Sequence, residues 1–188
     1  MYGFLIAVVR VPIVDDTYTQ RHKMERFIDY YDEEPVGYTE PASADPQEEL
    51  VHALVALRIV YLSHQNSHWQ ADGESYYGDH LLMQRLYESV QGDVDALAER
   101  IVGLYGKETI DLEVQLATMS DCSECNEFST ILDGIERAVA VEQHALAMIE
   151  EAYSVLESNG TKTLGLDDLL TAIASNRETS LYLLGQRE

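Results

Sequence analysis

Basic residues are scarce in this chain of 188 residues, which carries 12 lysines and arginines against 34 aspartates and glutamates, for a formal net charge of −22 at pH 7. Non-specific affinity for nucleic acid comes from basic side chains that displace counterions from phosphates. A chain this acidic repels a phosphate backbone and attracts cations. Charge alone leaves two explanations open: a role in handling cations, or a strongly solvated surface suited to a salt-rich habitat.

Cysteine is also scarce, because Cys122 and Cys125 are the only two in the chain. Two cysteines exclude the disulfide framework of small secreted domains, so a reducing interior, the cytoplasm, is the expected location. The spacing Cys-Ser-Glu-Cys fits half of a metal site or a redox pair. No second cysteine pair is present, so a metal site there would need other ligands.

Long apolar runs are missing as well. The opening segment from Met1 to Val14 is apolar except for Arg10, but Pro12 interrupts it, and it is shorter than the ~20 residues that span a bilayer. It also lacks the basic start and the small-residue cleavage site of a signal peptide. We expect a strand or a docking arm here, and no membrane association.

The first 46 residues differ in composition from the rest. Residues 15–44 are rich in Asp, Glu and Tyr, contain Pro35 and Pro41, and show no sustained apolar period. We therefore predict a partly extended N-terminal arm over residues 1–46 and one helical domain over residues 47–188. The arm carries four basic and nine acidic residues. It is a poor DNA-binding tail and a candidate docking element for a protein partner.

The first long helix has a clear start signal. Asp45 is a suitable N-cap, Pro46 suits the first helical position, and Glu48 places a carboxylate in the first turn. Apolar and histidine residues then recur at spacings of three and four, which predicts a helix to about Trp69. The residues of this stripe are Leu50, Leu54, Leu57, Tyr61, His64 and His68.

Three further long helices follow from the same periodicity. The second carries apolar residues from Leu82 to Leu104 and stops near Gly106; the third spans Phe128 to Leu156; the fourth carries Leu166 to Leu184. The mixed pattern between Lys107 and Asn126 predicts one small helix across the connection. We therefore predict an all-α, ferritin-like four-helix bundle with a short helix in the long crossover.

Four potential metal ligands stand out. Asp95 and Glu99 are four residues apart on the second helix, so both carboxylates project from one face. His68 and His80 flank the turn between the first two helices. Imidazole with carboxylate suits a first-row metal such as iron, whereas structural zinc sites are typically rich in thiolate.

Helix geometry limits how these ligands can meet. His80 lies 15 residues before Asp95, which separates them by roughly 22 Å along a helix at ~1.5 Å per residue. No side chains bridge such a gap. If all four ligands belong to one metal centre, the histidines of one subunit must meet the carboxylates of another, with two such sites in a two-fold dimer.

The pattern around these residues resembles the ferroxidase signature of the Dps family of mini-ferritins. It comprises His68-Trp69, a glycine four residues after the tryptophan, His80, Asp95 and Glu99. The resemblance extends more weakly to Leu97-Ala98-Glu99-Arg100, to Asp168-Leu169-Leu170 and to Arg177-Glu178. It covers about residues 47–188.

The resemblance implies a shell of twelve identical subunits that binds ferrous iron at dimer interfaces. The shell would oxidise the iron preferentially with hydrogen peroxide and store the ferric product, which protects against oxidative damage. His68, His80, Asp95 and Glu99 would ligate one or two irons, and Trp69 would be the aromatic neighbour. Candidate pore or lumen residues near the start of the third helix are Asp121, Glu124, Glu127 and Asp133.

Two alternatives accompany this interpretation. The histidines and carboxylates could be ordinary turn and surface residues, and the chain a structural component of a larger particle with the N-terminal arm as its docking element. An ordinary ferritin would instead carry a Glu-x-x-His pair in each half of the bundle. Glu49 and His52 form one such pair, but the third and fourth helices lack it.

Overall fold

The computed structural model describes residues 44–131 and 133–187. These residues form six α-helices and one short 3₁₀ helix. The predicted arm over residues 1–46, with the docking role assigned to it, lies almost entirely outside the described residues. Its boundary with the helical domain stays a prediction.

Helix α1 spans Pro46–Gln70 and begins as the sequence predicts. The Asp45 carboxylate accepts a hydrogen bond of 2.9 Å from the backbone N–H of Gln47, and Pro46 occupies the first turn. The helix is buried on more than one side, since Val51, Val55 and Ile59 are covered as well as the Leu50 stripe. It is therefore the central helix of the domain.

Helix α2 spans Tyr76–Tyr105 and follows α1 after a short turn. Its end at Gly106 is confirmed: the glycine has a φ of 97°, a conformation that side chains disfavour, and its N–H donates to the Val102 carbonyl at 3.0 Å. The apolar stripe predicted for this helix is wrong at one residue, Leu104, which does not face the core. Leu104 is 44% exposed because it lies beside Ile101 and Tyr105, which turn towards the bundle in its place.

The crossover contains more structure than the one small helix that the sequence predicts. A 3₁₀ helix at Lys107–Ile110 is followed by α3, Leu112–Asp121, and α4, Ser123–Phe128. A hydrogen bond of 2.7 Å from Arg58 to the Gln115 amide oxygen ties α3 to α1. The crossover thus covers the side of α1 that the other long helices leave open.

Helix α5 spans Gly134–Ser158, and α6 spans Leu164–Leu184. The predicted third helix therefore begins six residues late, because Phe128 ends α4 and Asp133 starts a new helix by capping it. The Asp133 carboxylate accepts from the N–H groups of Ile135 and Glu136 at 2.8 and 2.9 Å. The N–H groups in the first turn of a helix have no partner within the helix, and Asp133 satisfies two of them. This sets the start of α5 at Gly134, even though the apolar periodicity continues through the break.

We expect Asp133→Ala to lower the free energy of unfolding by about 1 kcal/mol, because it removes the hydrogen bonds that cap α5. Urea unfolding followed by circular dichroism measures this change. Asp111→Ala is a matched control, since Asp111 precedes α3 but its side chain makes no capping hydrogen bond. Equal losses in the two variants would show that the cap at Asp133 contributes nothing.

The four long helices close into a bundle. Helix α1 packs against α2 and α5, and α6 packs against α5 and α2. The core between them is aliphatic, with Leu54, Leu57, Leu97, Ile149 and Leu170 almost completely buried. The predicted all-α architecture of four long helices with one long crossover is confirmed. Among the described helices, none has the length and apolar character needed to cross a membrane.

Candidate metal centre

The two predicted histidine ligands come together at the α1–α2 turn. His68 lies in the last turn of α1 and His80 in the first turns of α2, so the turn brings them side by side. Their rings stack with centroids 3.7 Å apart and planes inclined by 21°. Both residues are half-buried. The sequence spacing of twelve residues therefore does produce a local histidine pair.

Hydrogen bonds determine which ring nitrogens remain available. His68 Nδ1 lies 2.8 Å from the His80 carbonyl oxygen, and His80 Nδ1 lies 2.9 Å from the His68 carbonyl oxygen. A carbonyl oxygen only accepts, so each Nδ1 must carry the hydrogen and donate it. In the neutral rings both Nε2 atoms then keep a free lone pair. Histidine ligands of metals commonly have this arrangement, with the second nitrogen held by a carbonyl.

Two tyrosines that the sequence interpretation did not single out contact this pair. Tyr76 stacks on His80 with centroids 5.2 Å apart, and Tyr87 meets His68 edge-on at 5.5 Å. Tyr76 lies four residues before His80 and Tyr87 seven after it on the same helix. This helical spacing is the sequence signal that could have placed both tyrosines on the face of His80. The Trp69 side chain is 68% exposed. Its predicted role beside the metal stays a prediction.

The two predicted carboxylate ligands lie elsewhere. Asp95 and Glu99 are both exposed and lie one turn apart on α2. Because α2 is one continuous helix from Tyr76 to Tyr105, the roughly 22 Å axial distance between His80 and Asp95 stands. The structure therefore brings the histidines together and the carboxylates together, but it does not bring the two pairs together within one chain.

Large apolar side chains are exposed around the histidine end. Trp69, Tyr76, Tyr77 and Leu81 are exposed by 68%, 47%, 72% and 43% respectively. Exposed groups of apolar side chains on soluble proteins typically mark contact surfaces. They lie at the end of α1 and in the first turns of α2, which makes this surface a candidate protein contact beside the histidine pair.

The centre of the bundle is occupied by a polar network with one residue from each long helix. His64 Nε2 lies 2.8 Å from Glu142 Oε1, and the Arg177 guanidinium donates to both Glu142 oxygens at 3.1 Å. Arg177 also donates to Asp93 Oδ2 at 3.0 Å. His64, Glu142 and Arg177 are fully buried. Burial raises the pKa of Asp93, although the positive charge of Arg177 opposes this.

This network bears on the ordinary ferritin alternative, in which the metal site lies inside one subunit. Such a site needs carboxylates and histidines from the four helices of one bundle. Here Arg177 already pairs with both central carboxylates, and a fixed guanidinium repels a second cation at this position. The charged network therefore makes the interior of the bundle unsuitable for a di-iron site.

The predicted pore residues have individual surroundings. Asp133 caps α5, as described above. Glu124 is exposed, and its carboxylate accepts hydrogen bonds from a backbone N–H and from the Ser123 hydroxyl, which lower its pKa. Asp121 and Glu127 are also exposed. Whether any of the four lines a pore depends on the assembled shell and stays a prediction.

Residues 47–185 match the sequence profile of the ferritin-like domain. The chain belongs to the ferritin-like family. Among curated proteins, it is similar to a nutrient stress-induced DNA-binding protein of Synechococcus sp. The two are 29% identical over 122 residues, which make up 61% of this chain and 65% of that relative's length.

Solved structures that resemble the chain include Dps proteins. Dps from Thermosynechococcus elongatus superposes with a TM-score of 0.62 at 21% identity, over 75% of this chain and 88% of that one. The Dps protein from Vibrio cholerae O1 gives 0.62 at 15% identity, over 79% and 98%. These structures confirm the predicted ferritin-like fold, and together with the ferritin-like profile and the stress-protein relative they bear out the predicted resemblance to the Dps family.

Proposed function

We propose that this Dps-type chain is an iron-binding ferroxidase and iron-storage protein. It binds Fe²⁺ at sites between subunits, oxidises it with hydrogen peroxide, and holds the Fe³⁺ inside a hollow oligomer of twelve subunits. Limiting the reaction of free iron with peroxide would protect the cell from oxidative damage. The observation that carries the proposal is the stacked pair of His68 and His80, with both Nε2 lone pairs free.

The donor chemistry supports iron as the substrate. Two neutral imidazoles together with the carboxylates of Asp95 and Glu99 form the mixed nitrogen and oxygen set that suits first-row metals. Hydrogen bonds from each Nδ1 to a carbonyl fix the histidine rings before any metal arrives. The similar Vibrio cholerae protein is described as a member of a superfamily of ferritin-like diiron-carboxylate proteins.

The location of the ligands supports a site between subunits. The histidine pair lies at the end of α1 and the start of α2, and the carboxylate pair lies further along α2. The interior of the bundle offers no alternative site, because Arg177 occupies it. The exposed aromatic side chains beside the histidines offer the contact surface that a second copy would cover. In a two-fold dimer each such contact occurs twice, which gives two sites.

We do not extend DNA binding to this chain. The Synechococcus relative is named for DNA binding, but a net charge of −22 provides no electrostatic support for contact with phosphates. The same acidic surplus favours the entry of Fe²⁺. Protection through iron removal is therefore the part of the Dps role that we propose here.

We expect Asp95→Ala to slow ferrous iron oxidation at least about tenfold, because losing a metal ligand costs at least as much as losing a group that orients one. The purified protein is loaded anaerobically with Fe²⁺, peroxide is added, and ferric absorbance is followed. Glu88→Ala is the matched control, since it removes another exposed carboxylate from the same helix. Size-exclusion chromatography verifies that each variant assembles.

Equal rates in Asp95→Ala and the wild type would overturn the ferroxidase proposal. If Glu88→Ala slowed oxidation as much as Asp95→Ala, the assignment of Asp95 to the site would be overturned. Such a result would show that only the general acidity of the surface matters.

A further inference from the structure

A second group of potential metal ligands lies on the crossover, away from the histidine pair. Cys122 and Cys125 stand at the start of α4, and His144 faces them from α5. The structure joins the two cysteines in a disulfide with Cα atoms 5.2 Å apart. His144 Nε2 lies 3.7 Å from each of the two sulfurs. The three ligating atoms lie within 4.8 Å of one another.

The His144 ring packs edge-on against Phe128, but a disulfide alone gives no reason for its Nε2 to face both sulfurs. A disulfide is uncharged, and sulfur is a weak hydrogen-bond acceptor. A metal gives a reason. In a tetrahedral zinc site, bonds of about 2.3 Å to sulfur and about 2.0 Å to nitrogen separate the nitrogen from each sulfur by about 3.5 Å. The two observed distances of 3.7 Å are close to this edge, whereas the two sulfurs, which are bonded to each other, must move apart to about 3.8 Å once the disulfide is broken.

The surroundings also favour thiolate ligands. The Cys125 backbone N–H donates to Cys122 Sγ at 3.2 Å, and a hydrogen bond of this kind stabilises negative charge on sulfur. Both cysteines and His144 are half-buried. They line a cavity of about 200 Å³ that His52 also lines. His52 Nδ1 lies 3.4 Å from Glu49 Oε2, a contact that does not involve its Nε2. A fourth ligand thus has room to enter.

The geometry points to a second metal site, in which the reduced thiols of Cys122 and Cys125 together with His144 bind a thiophilic divalent cation of the Zn²⁺ class. Thiolate and imidazole select such a cation over the harder ions that carboxylates prefer. The site lies within one subunit and does not depend on the proposed iron chemistry at His68.

The disulfide and the metal site are alternative states of the same cysteines. Two molecules of a thiol reductant break the S–S bond, supply two electrons and two protons to the cysteines, and leave as their own disulfide. Two metal–sulfur bonds then form as the cation displaces the two thiol protons. Each state excludes the other, because a disulfide sulfur offers no thiolate to a metal.

Cobalt provides a selective test, because Co²⁺ replaces Zn²⁺ and its thiolate complexes give charge-transfer absorption that carboxylate and imidazole sites do not. The full-length protein is reduced with a phosphine, which adds no competing thiol, and is titrated with Co²⁺. We expect one thiolate-bound Co²⁺ per chain and full displacement by one equivalent of Zn²⁺. The same protein kept oxidised gives no charge-transfer band.

Variants assign the ligands. Cys122→Ser with Cys125→Ser abolishes the band while ferrous iron oxidation stays unchanged. His144→Ala keeps two thiolates but weakens Co²⁺ binding more than about tenfold, since it removes one of three ligands. His68→Ala leaves the band and the affinity as in the wild type. Circular dichroism verifies that each variant is folded.

Three results would overturn the inference. One is a reduced and folded wild-type protein without the charge-transfer band. Another is a Co²⁺ affinity of His144→Ala equal to that of the wild type. The third is a disulfide that resists the reductant as long as the protein is folded, as measured by counting free thiols.

Discussion

Assemblies mixed from two inactive variants are expected to regain about a quarter of the wild-type ferrous oxidation activity. One variant, His68→Ala with His80→Ala, lacks the histidine half of the site. The other, Asp95→Ala with Glu99→Ala, lacks the carboxylate half. In a dimer with one chain of each kind, one site loses both halves, whereas the other combines intact histidines with intact carboxylates.

The expected fraction follows from random pairing. About half of the dimers contain one chain of each variant, and each of these has one of its two sites intact, which gives about a quarter of all sites. The two genes are expressed together with different tags, and purification on both tags isolates mixed shells. Peroxide-driven oxidation of Fe²⁺ is then measured per chain.

A matched mixture tests the logic. His68→Ala mixed with His80→Ala should recover nothing, because both histidines of a site come from the same α1–α2 turn. Recovery in this control would mean that the histidine pair does not act as one unit. No recovery in the first mixture, with shells intact, would contradict a site shared between subunits.

The second large effect concerns stability. Arg177→Ala is expected to lower the free energy of unfolding by about 3–5 kcal/mol, because it leaves the fully buried Glu142 without its cation. For a chain of this size the loss corresponds to a fall in Tm of roughly 6–20 °C. Differential scanning calorimetry at one fixed protein concentration measures it, since assembly also affects Tm.

Removing the charge on both sides provides the control. Glu142→Gln with Arg177→Met removes the uncompensated charge at the fully buried Glu142 and keeps an amide for His64 to contact, although Asp93 still loses its Arg177 partner. We expect the double variant to be more stable than Arg177→Ala, as is found when buried ion pairs are replaced together. A loss below about 1 kcal/mol in Arg177→Ala would mean that the network contributes little.

The helices were predictable because their signals are local. Asp45 and Pro46 start α1, and Gly106 ends α2 through a positive φ, so both boundaries follow from a few neighbouring residues. The break before α5 was missed because the apolar period continues across it from Phe128 to Ile135. Only the capping hydrogen bonds of Asp133 reveal where the helix begins.

The candidate sites were predictable to different degrees. The pairing of His68 with His80 follows from a short turn between two helices. The contact of Cys122 and Cys125 with His144 does not, because it depends on how the crossover folds back onto α5. Arg177 likewise looks like a surface residue in the sequence, and only the closed bundle shows that it reaches Glu142 and Asp93.

The separation of the histidines from the carboxylates along α2 also bears on when chemistry can begin. Under the proposed function, a newly made subunit carries two half-sites and no complete one, so it would not oxidise ferrous iron until it pairs. On dilution, activity should fall faster than protein concentration as pairs dissociate. Oxidation would then occur only where subunits have paired towards a shell. Unassembled subunits would not release ferric product into solution.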